Sequence, residues 1–340
     1  MGGRAFPKLN CKRLNKEEFD IFSQKIVSQL YSIGGFFWII KSYHQKDSFG
    51  DLDIVYTTQE DHKIPVERFI FELDCSYSFI NGDITSLAIP HEESFFQVDL
   101  IFIPKKYIQN AYCYFAYNDL GNLVGRIFHR AGFKLGQKGL QYIIRDEECD
   151  NRVIKEVDID GTWSEYLSFA GYDSSRWLKG FDTLEDVFEY AVSTPLASKT
   201  IFRLEETNHA ARVRDRKRKT YQQFLQWIYG TENNVPDEER IPKKQLRKEF
   251  LEKAFETFPH FKIDYDRYMF ESNQNKQVKN KFNGHIVSEV TGLTGKDLGS
   301  FIQDFIHSYI ENELRTDKTT WVLDLSVEQI KTSIKMWKDR

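Results

Sequence analysis

Three aspartates have the spacing that could do chemistry. Asp51 and Asp53 lie two apart in DLDIVYTT at 51–58, a run that predicts a strand, so both carboxylates share one face and repel each other unless a cation binds them. Asp99 lies in a second predicted strand, FFQVDLIFIP at 95–104, where an unpaired carboxylate would be costly to bury. If the two strands are neighbours, the three carboxylates suit Mg²⁺ in two-metal phosphoryl transfer. A solvated strand face is the simpler explanation for the first pair.

The elements that must position these acids are predicted from hydrophobic spacing. KEEFDIFSQKIVSQL at 16–30 has apolar residues three and four apart, which predicts an amphipathic helix that ends before Gly34 and Gly35. FFWII at 36–40 predicts a strand, joined by a polar turn to the strand at 51–58. The first hundred residues are therefore expected to form a small α/β unit.

Beyond Pro104 the pattern becomes mainly helical. A helix is predicted at 122–130, with short strands at 133–135 and 140–144. TENNVPDEERIP at 231–242 collects proline, asparagine and charge, which predicts a linker. Helical spacing covers four further stretches: 163–192, 205–229, 244–258 and 296–314. The expected fold class is α+β, with a mainly α-helical C-terminal region.

The segments around the aspartates resemble a known signature. It comprises SY at 42–43, GDLDIV at 50–55 and VDLI at 98–101. In this order and spacing they resemble the DNA polymerase beta-like nucleotidyltransferase superfamily, which carries a Gly-Ser turn, an Asp-x-Asp strand and a third acid on a later strand. The resemblance implies a small palm domain with a mixed sheet, two Mg²⁺ ions (or Mn²⁺) on the three acids, and a nucleoside triphosphate as substrate.

The turn after Ser42 departs from the family pattern. Lys41 stands where the family has glycine, and HQK at 44–46 stands where it has arginine. We therefore expect triphosphate binding at the Ser42 hydroxyl, at the charge of Lys46 and next to Gly50, which precedes the first acid. A lysine that is merely solvated in a polar turn is the other explanation.

A longer likeness, over about residues 30–145, is to the family X DNA polymerases. By this resemblance Tyr114 and Phe115 lie against the sugar of the incoming nucleotide, Asn122 bonds its base edge, and Arg126 approaches the paired or stacked partner. An ordinary i,i+4 helix pair and a core phenylalanine explain the same residues without a ligand. The helix-hairpin-helix glycine motifs of the family are missing, so gap-filling repair is not expected.

Combined with the predicted elements, the resemblance divides the chain into four parts. They are a catalytic palm-like domain at 1–110, a nucleotide-binding thumb-like segment at 111–160, a helical region with a basic segment at 161–235, and a helical C-terminal domain at 236–340.

The basic segment is RVRDRKRK at 212–219, which leads into the helical aromatic pattern of TYQQFLQWIY. Six cations with one acid form a local positive field that could track nucleic-acid phosphates; a solvated helix end is the alternative. The predicted nucleic-acid contacts are Arg212, Arg214, Arg216, Lys217, Arg218 and Lys219.

A glycine motif near the C-terminus also resembles a known family. GLTGKDLG at 292–299 precedes the helix predicted at 301–314, and it weakly resembles the C-terminal region of bacterial tRNA nucleotidyltransferases and poly(A) polymerases. That likeness implies an RNA 3′ end as acceptor. The alternative is that the glycines only permit a tight turn and close helix packing.

Composition excludes several classes of protein. Of 340 residues, 41% are hydrophobic and 29% charged with a net charge of −4, so the chain is neither a histone-like protein nor a disordered acidic tail. Four scattered cysteines do not suggest a disulfide scaffold, and residues 1–16 lack the apolar core of a signal peptide. We expect a cytoplasmic protein without a membrane span.

Together these observations predict a metal-dependent nucleotidyltransferase that moves a nucleotide onto a nucleic-acid 3′-hydroxyl, DNA or RNA. Two alternatives stay open. One is an enzyme that modifies a protein or small-molecule hydroxyl, and the other is an inactive nucleic-acid-binding module.

Overall fold

The structure of the protein is a computed structural model that describes residues 5–146, 152–207, 209–230 and 233–340. The chain divides into two compact units, Met1–Phe261 and Lys262–Arg340. The three aspartates, the residues predicted to bind the nucleotide and the basic segment all belong to the first unit. Cys149, one of the four cysteines, lies outside the described residues.

A mixed five-stranded sheet and a two-stranded ribbon form the N-terminal part of the first unit. The strands are β1 (Leu14–Asn15), β2 (Phe36–Ile39), β3 (Ser48–Phe49), β4 (Asp51–Thr57), β5 (Tyr77–Asn81), β6 (Ile84–His91) and β7 (Ser94–Phe102). β1 pairs with β3, and the sheet has the order β2-β4-β7-β6-β5. Strands β4 and β7 run parallel, whereas the other neighbours in this sheet are antiparallel. The predicted α+β fold class is thereby confirmed.

One face of the sheet is buried under two helices. Leu52 and Ile54 of β4 share a core cluster with side chains of α1 (Lys16–Leu30) and α2 (Val66–Glu72). Helix α1 has the predicted bounds. Asn15 caps it, because its side chain accepts from the backbone N–H of Glu18 while the Glu18 carboxylate accepts from the backbone N–H of Asn15.

The opposite face is divided between the acids and a smaller core. Val55 and Ile101 follow Asp53 and Asp99 by two residues, so they project on the same side as the acids. They pack against α3 (Ile108–Phe115). Thus α3 covers one end of this face, and the three aspartates lie at the other end.

The turn between α3 and α4 (Leu120–Arg130) is tight. Tyr117 and Asn118 have left-handed φ angles of 59° and 63°, which cost non-glycine residues about 1 kcal/mol each. The Tyr117 ring is buried edge-on against Phe181, with centroids 4.8 Å apart, and this packing offsets the strain. Gly121 lets the helices approach, because a Cβ there would lie 2.1 Å from the Tyr114 carbonyl oxygen.

A second, antiparallel sheet and short helices complete the first unit. The sheet has the order β10-β9-β8 and consists of β8 (Phe133–Gly136), β9 (Gly139–Asp146) and β10 (Arg152–Ile159). The helices are α5 (Trp163–Phe169), α6 (Ser174–Lys179), α7 (Leu184–Ala191), α8 (Lys199–Phe202), α9 (His209–Lys217), α10 (Lys219–Gly230) and α11 (Lys243–Thr257).

Two of the predicted helical stretches are interrupted. The stretch at 163–192 forms three helices, because Gly171 and Gly180 adopt φ of 82° and 88° and end the first two. The stretch at 205–229 breaks at Arg218, between α9 and α10.

The segment predicted to be a linker packs on the first unit. Residues 231 and 232 lie outside the described part of the chain. Beyond them, the backbone N–H of Lys199 donates to the Pro236 carbonyl at 2.8 Å, and the Thr200 hydroxyl donates to the Asp237 carbonyl at 2.7 Å. These hydrogen bonds hold the segment in place. Its polar composition does not indicate them, so the prediction of a linker from composition is wrong here.

The C-terminal unit is helical. Its core includes the stacked rings of Phe282 and Phe305. The elements are α12 (Pro259–Lys281), which begins in the first unit, α13 (Gly284–Thr291), α14 (Gly295–Asp304), a π-helix (Phe305–Glu313), α15 (Lys318–Asp324) and α16 (Val327–Lys338). Among the described residues, no helix combines the length and apolar character needed to cross a bilayer.

Candidate active site

The pairing of β4 with β7 brings the three aspartates together, as the sequence predicts. Asp53 stands opposite Asp99 in the parallel register, and Asp51 stands opposite Gln97. One carboxylate oxygen from each aspartate lies within 4.8 Å of the other two, and all three residues are half-buried. The acids are therefore one cluster on one face of the sheet.

The cluster is electrostatically unfavourable on its own. Burial, followed by the charge of Asp99, raises the pKa of Asp51 to about 6. Burial and the charges of both neighbours raise the pKa of Asp53 well above its usual value. Burial also raises the pKa of Asp99, although hydrogen bonds from Ser86 and Gln97 oppose the shift. Three carboxylates held this close need compensating positive charge to ionise together.

The donor set of this cluster fits a divalent cation. The Gln97 amide donates to both Asp99 oxygens, at 3.0 and 2.9 Å. In the part of the chain that the structure describes, the Asp51 and Asp53 carboxylates accept no hydrogen bond, so their oxygens are left to other partners. Hard oxygen ligands such as these carboxylates are what Mg²⁺ prefers.

The loop between β2 and β3 brings one cation to the acids. The backbone N–H groups of His44 and Gln45 donate to the carbonyls of Phe181 and Asp182, both at 2.8 Å, which anchors the loop. Burial lowers the pKa of Lys46, while the charges of Asp51 and Asp53 raise it. The predicted residue Lys46 is therefore within electrostatic reach of the acid cluster.

The other two residues predicted to contact the triphosphate lie in this loop or next to it. Ser42 is half-buried in the same loop, and Gly50 is buried between β3 and β4. Their contact with a triphosphate stays a prediction.

The four residues predicted to bind the nucleotide lie together in a separate place. Tyr114, Phe115, Asn122 and Arg126 all line a cavity of about 600 Å³ beside α4, which none of the three aspartates lines. Phe115 also packs against the core on the acid-bearing face of the main sheet. The two sets of residues are thus distinct but share one side of the sheet.

Asn122 and Arg126 are held by the basic segment. Arg126 forms an ion pair with Asp215, which is completely buried, and its guanidinium lies 4.8 Å from the centroid of the Tyr221 ring. Arg214 donates to the Asn122 side-chain oxygen at 2.9 Å and to Asp215 at 2.8 Å. The i,i+4 pair on α4 is therefore engaged in long-range contacts.

Half of the cations in the basic segment have internal partners. Arg212 donates to the Thr207 carbonyl at 2.9 Å, Arg214 pairs with Asp215, and Arg218 forms an ion pair with Asp119. Three others are exposed and have no hydrogen bond or ion pair with any described residue: Arg216, Lys217 and Lys219. Contact of this segment with nucleic acid stays a prediction, and these three are its cations without an ion pair among the described residues.

Two site residues were missed from the sequence although a signal for each existed. Gln97 precedes Asp99 by two positions, so strand alternation places both on one face. Asp215 is the one acid within the basic segment, and its ion pair with Arg126 helps to hold α9 against α4. Lys138 and Lys243 of the cavity, by contrast, are brought together only by the fold.

The glycine motif near the C-terminus forms a turn between α13 and α14. Gly292 and Gly295 have left-handed φ angles of 74° and 56°, and space is open where their Cβ atoms would lie. The RNA acceptor implied by the resemblance stays a prediction.

No protein-family model matches the chain, and no curated protein matches it either. The activity must therefore be argued from the geometry of the acid cluster and its surroundings.

The acid cluster predicts a specific pH dependence of stability. Because the pKa of Asp51 is raised from 3.8 to about 6, the folded protein binds more protons than the unfolded chain between these values, and the free energy of unfolding contributed by this group falls as the pH rises. Without metal, the wild type should lose thermal stability relative to Asp51→Asn across this window. Mg²⁺ should restore it above about pH 6. Parallel melting curves of the two proteins in EDTA and in MgCl₂ would reveal this, and a difference that does not change with pH would contradict it.

Proposed function

We propose that the protein is a metal-dependent nucleotidyltransferase, which transfers a nucleoside monophosphate from a nucleoside triphosphate to a nucleic-acid 3′-hydroxyl and releases pyrophosphate. The observation that carries the proposal is the cluster of Asp51, Asp53 and Asp99, whose oxygens lie within 4.8 Å of one another on two parallel strands. Two-metal phosphoryl transfer needs such a set of carboxylates beside an open face.

Each acid has a proposed role. Asp51 and Asp53 would hold two Mg²⁺ ions, with Mn²⁺ as the alternative, and Asp99 would share the ion nearer the acceptor hydroxyl. When bound, the ions neutralise phosphate charge and lower the pKa of that hydroxyl. Gln97 fixes the Asp99 carboxylate by donating to both of its oxygens. The acceptor hydroxyl loses its proton to solvent as its oxygen forms a bond to the α-phosphorus. The bond from that phosphorus to the bridging oxygen of pyrophosphate breaks, and pyrophosphate leaves.

The surroundings of the acids supply the nucleotide contacts. Lys46 offers a positive charge to the triphosphate from the loop beside the cluster. Tyr114, Phe115 and Asn122 line the separate cavity beside α4, so their predicted contacts with the nucleotide are not part of this proposal. Arg126 forms an ion pair with Asp215, so its role here is to hold α4 in position.

A direct assay tests this function. Purified protein would be incubated with each radiolabelled triphosphate, Mg²⁺, and a panel of DNA, RNA, protein and small hydroxyl acceptors. We expect label to appear on a nucleic-acid 3′ end in Mg²⁺ and not in EDTA. Labelling of a protein or small molecule alone would transfer the proposal to that acceptor, and no labelling of any acceptor would overturn it.

A further inference from the structure

The cavity beside α4 carries more positive than negative charge. Its volume is about 600 Å³, and its lining residues come from α3, α4, the β8–β9 turn, α8, α9 and α11, together with the connecting segments. Six cations and two acids line it: Arg126, Arg130, Lys134, Lys138, Arg214 and Lys243 against Glu206 and Glu239.

Ion pairs compensate only part of this charge. Arg130 is neutralised by Glu239, and Lys134 is neutralised by Glu156. Arg126 and Arg214, however, share the single carboxylate of Asp215, which leaves one positive charge. The arginine side of the cavity therefore keeps an excess of charge after its salt bridges are counted.

Two lysines add charge that no ion pair neutralises. Lys138 and Lys243 are exposed, and neither forms an ion pair with any described residue. His129, which also lines the cavity, has its pKa lowered to about 4 by desolvation and by nearby cations that include Arg247 and Lys243. Burial is the main cause of this shift, and the nearby cations add to it.

Two residues of the cavity lining also carry buried donors without acceptors. The Asn122 side-chain nitrogen and the Arg126 Nε are buried and have no hydrogen-bond partner among the described residues. Only 10% of the Arg126 side chain is exposed. A buried donor without a partner costs about 1–3 kcal/mol. Both atoms lie beneath the cavity surface, so the charge of the exposed lysines is the feature that a ligand in the cavity meets.

We propose that this cavity binds backbone phosphates of a single-stranded nucleic-acid acceptor. Phosphate oxygens match the positive charge of the cavity lining. The volume excludes a duplex, while Tyr114 and Phe115 offer aromatic faces on which unpaired bases stack. The acceptor role rests on the nucleotidyl transfer proposed above.

The reacting triphosphate is a less suitable occupant. Its phosphates must lie at the metal-binding acids, and none of the three aspartates lines the cavity. A neutral nucleobase there would leave the charge of Lys138 and Lys243 without a partner. A strand with several phosphates accounts for both lysines at once.

The test is a binding titration without metal or triphosphate, so it does not depend on transfer. A labelled oligouridine and an oligothymidine of about ten nucleotides would be titrated by fluorescence anisotropy over a salt series. The test variant is Lys138→Gln/Lys243→Gln. Its matched control is Lys25→Gln/Arg68→Gln, which removes two exposed cations from α1 and α2, on the other face of the main sheet.

We expect the test variant to bind at least about tenfold more weakly near 0.1 M salt, with a salt slope shallower by about 1.4 for two lost single-strand contacts. The control should match the wild type. Equal slopes in all three proteins, or no binding by the wild type, would overturn the proposal. Displacement of the oligonucleotide by metal-free ATP would assign the cavity to the nucleotide and also overturn it.

These outcomes are separable from those of the proposed function. Transfer to a non-nucleic-acid hydroxyl by a protein that binds no oligonucleotide would refute the cavity proposal and keep the catalytic one. Oligonucleotide binding that requires Lys138 and Lys243, in a protein without transfer activity, would do the reverse.

Discussion

Replacement of Asp53 by asparagine should reduce nucleotide transfer by about a thousandfold or more. The variant keeps the size of the side chain and removes one ligand charge, and metal-ion stabilisation of the transition state is worth several kcal/mol at 1.36 kcal/mol per factor of ten. Asp51→Asn and Asp99→Asn should have effects of the same order, because all three acids belong to one cluster. The measurement is the rate of label transfer at saturating triphosphate and Mg²⁺.

The fold should survive this substitution. Burial and two neighbouring carboxylates raise the pKa of Asp53, so loss of its charge relieves repulsion and should not lower the melting temperature in EDTA. The stabilisation of the wild type by Mg²⁺ should disappear in the variant. Asp47→Asn is the matched control, since Asp47 is exposed in the preceding loop. A folded Asp53→Asn protein with full activity would eliminate Asp53 as an essential ligand.

Replacement of Asp215 by alanine should produce the largest loss of stability among the substitutions considered. Asp215 is fully buried and neutralises Arg126, whose side chain is 10% exposed, so its removal leaves a buried guanidinium beside Arg214. Such a loss costs about 3–5 kcal/mol, or about 6–20 °C in the melting temperature of a unit of this size. The measurement is the thermal transition of the first unit.

Two further variants identify the cause. Arg216→Ala, an exposed cation on the same helix, should change stability by less than about 0.5 kcal/mol. The double variant Arg126→Met/Asp215→Leu should recover much of the lost stability, because apolar side chains replace both partners. If the melting temperature of Asp215→Ala equals that of the wild type, the ion pair does not hold α9 against α4.

Most of the N-terminal fold could be predicted because its elements follow simple periods. The spacing at 16–30 gave the bounds of α1, and the runs at 36–40 and 51–58 match β2 and β4 to within one residue. The 23-residue helix α12 was not predicted, because its apolar residues form no stripe along one face. At 163–192, where short helices follow one another, the spacing of the apolar residues does not show the breaks that the left-handed glycines make.

The acid cluster was predictable, whereas the cavity was not. Asp51 and Asp53 share a face by alternation alone, and Asp99 requires only that the two strands be neighbours. Lys138 and Lys243 come from a turn and a distant helix, so tertiary packing alone brings them together. The basic segment was visible as charge, but the partners of Arg214 and Arg218 lie on or beside α4, where no local pattern indicates them.

Burial of one face of β4 in the hydrophobic core fixes which residues lie on the opposite face, and the parallel register with β7 then fixes the position of the acid cluster. Leu52 and Ile54 point into the core under α1, and Asp51 and Asp53 point the other way. A single-residue insertion near Gly50 would exchange the two sets, so that carboxylates entered the core and leucine faced solvent. Point substitutions can therefore abolish the cluster and leave the fold intact. An insertion or deletion of one residue in β4, in contrast, cannot move the cluster without disrupting the core.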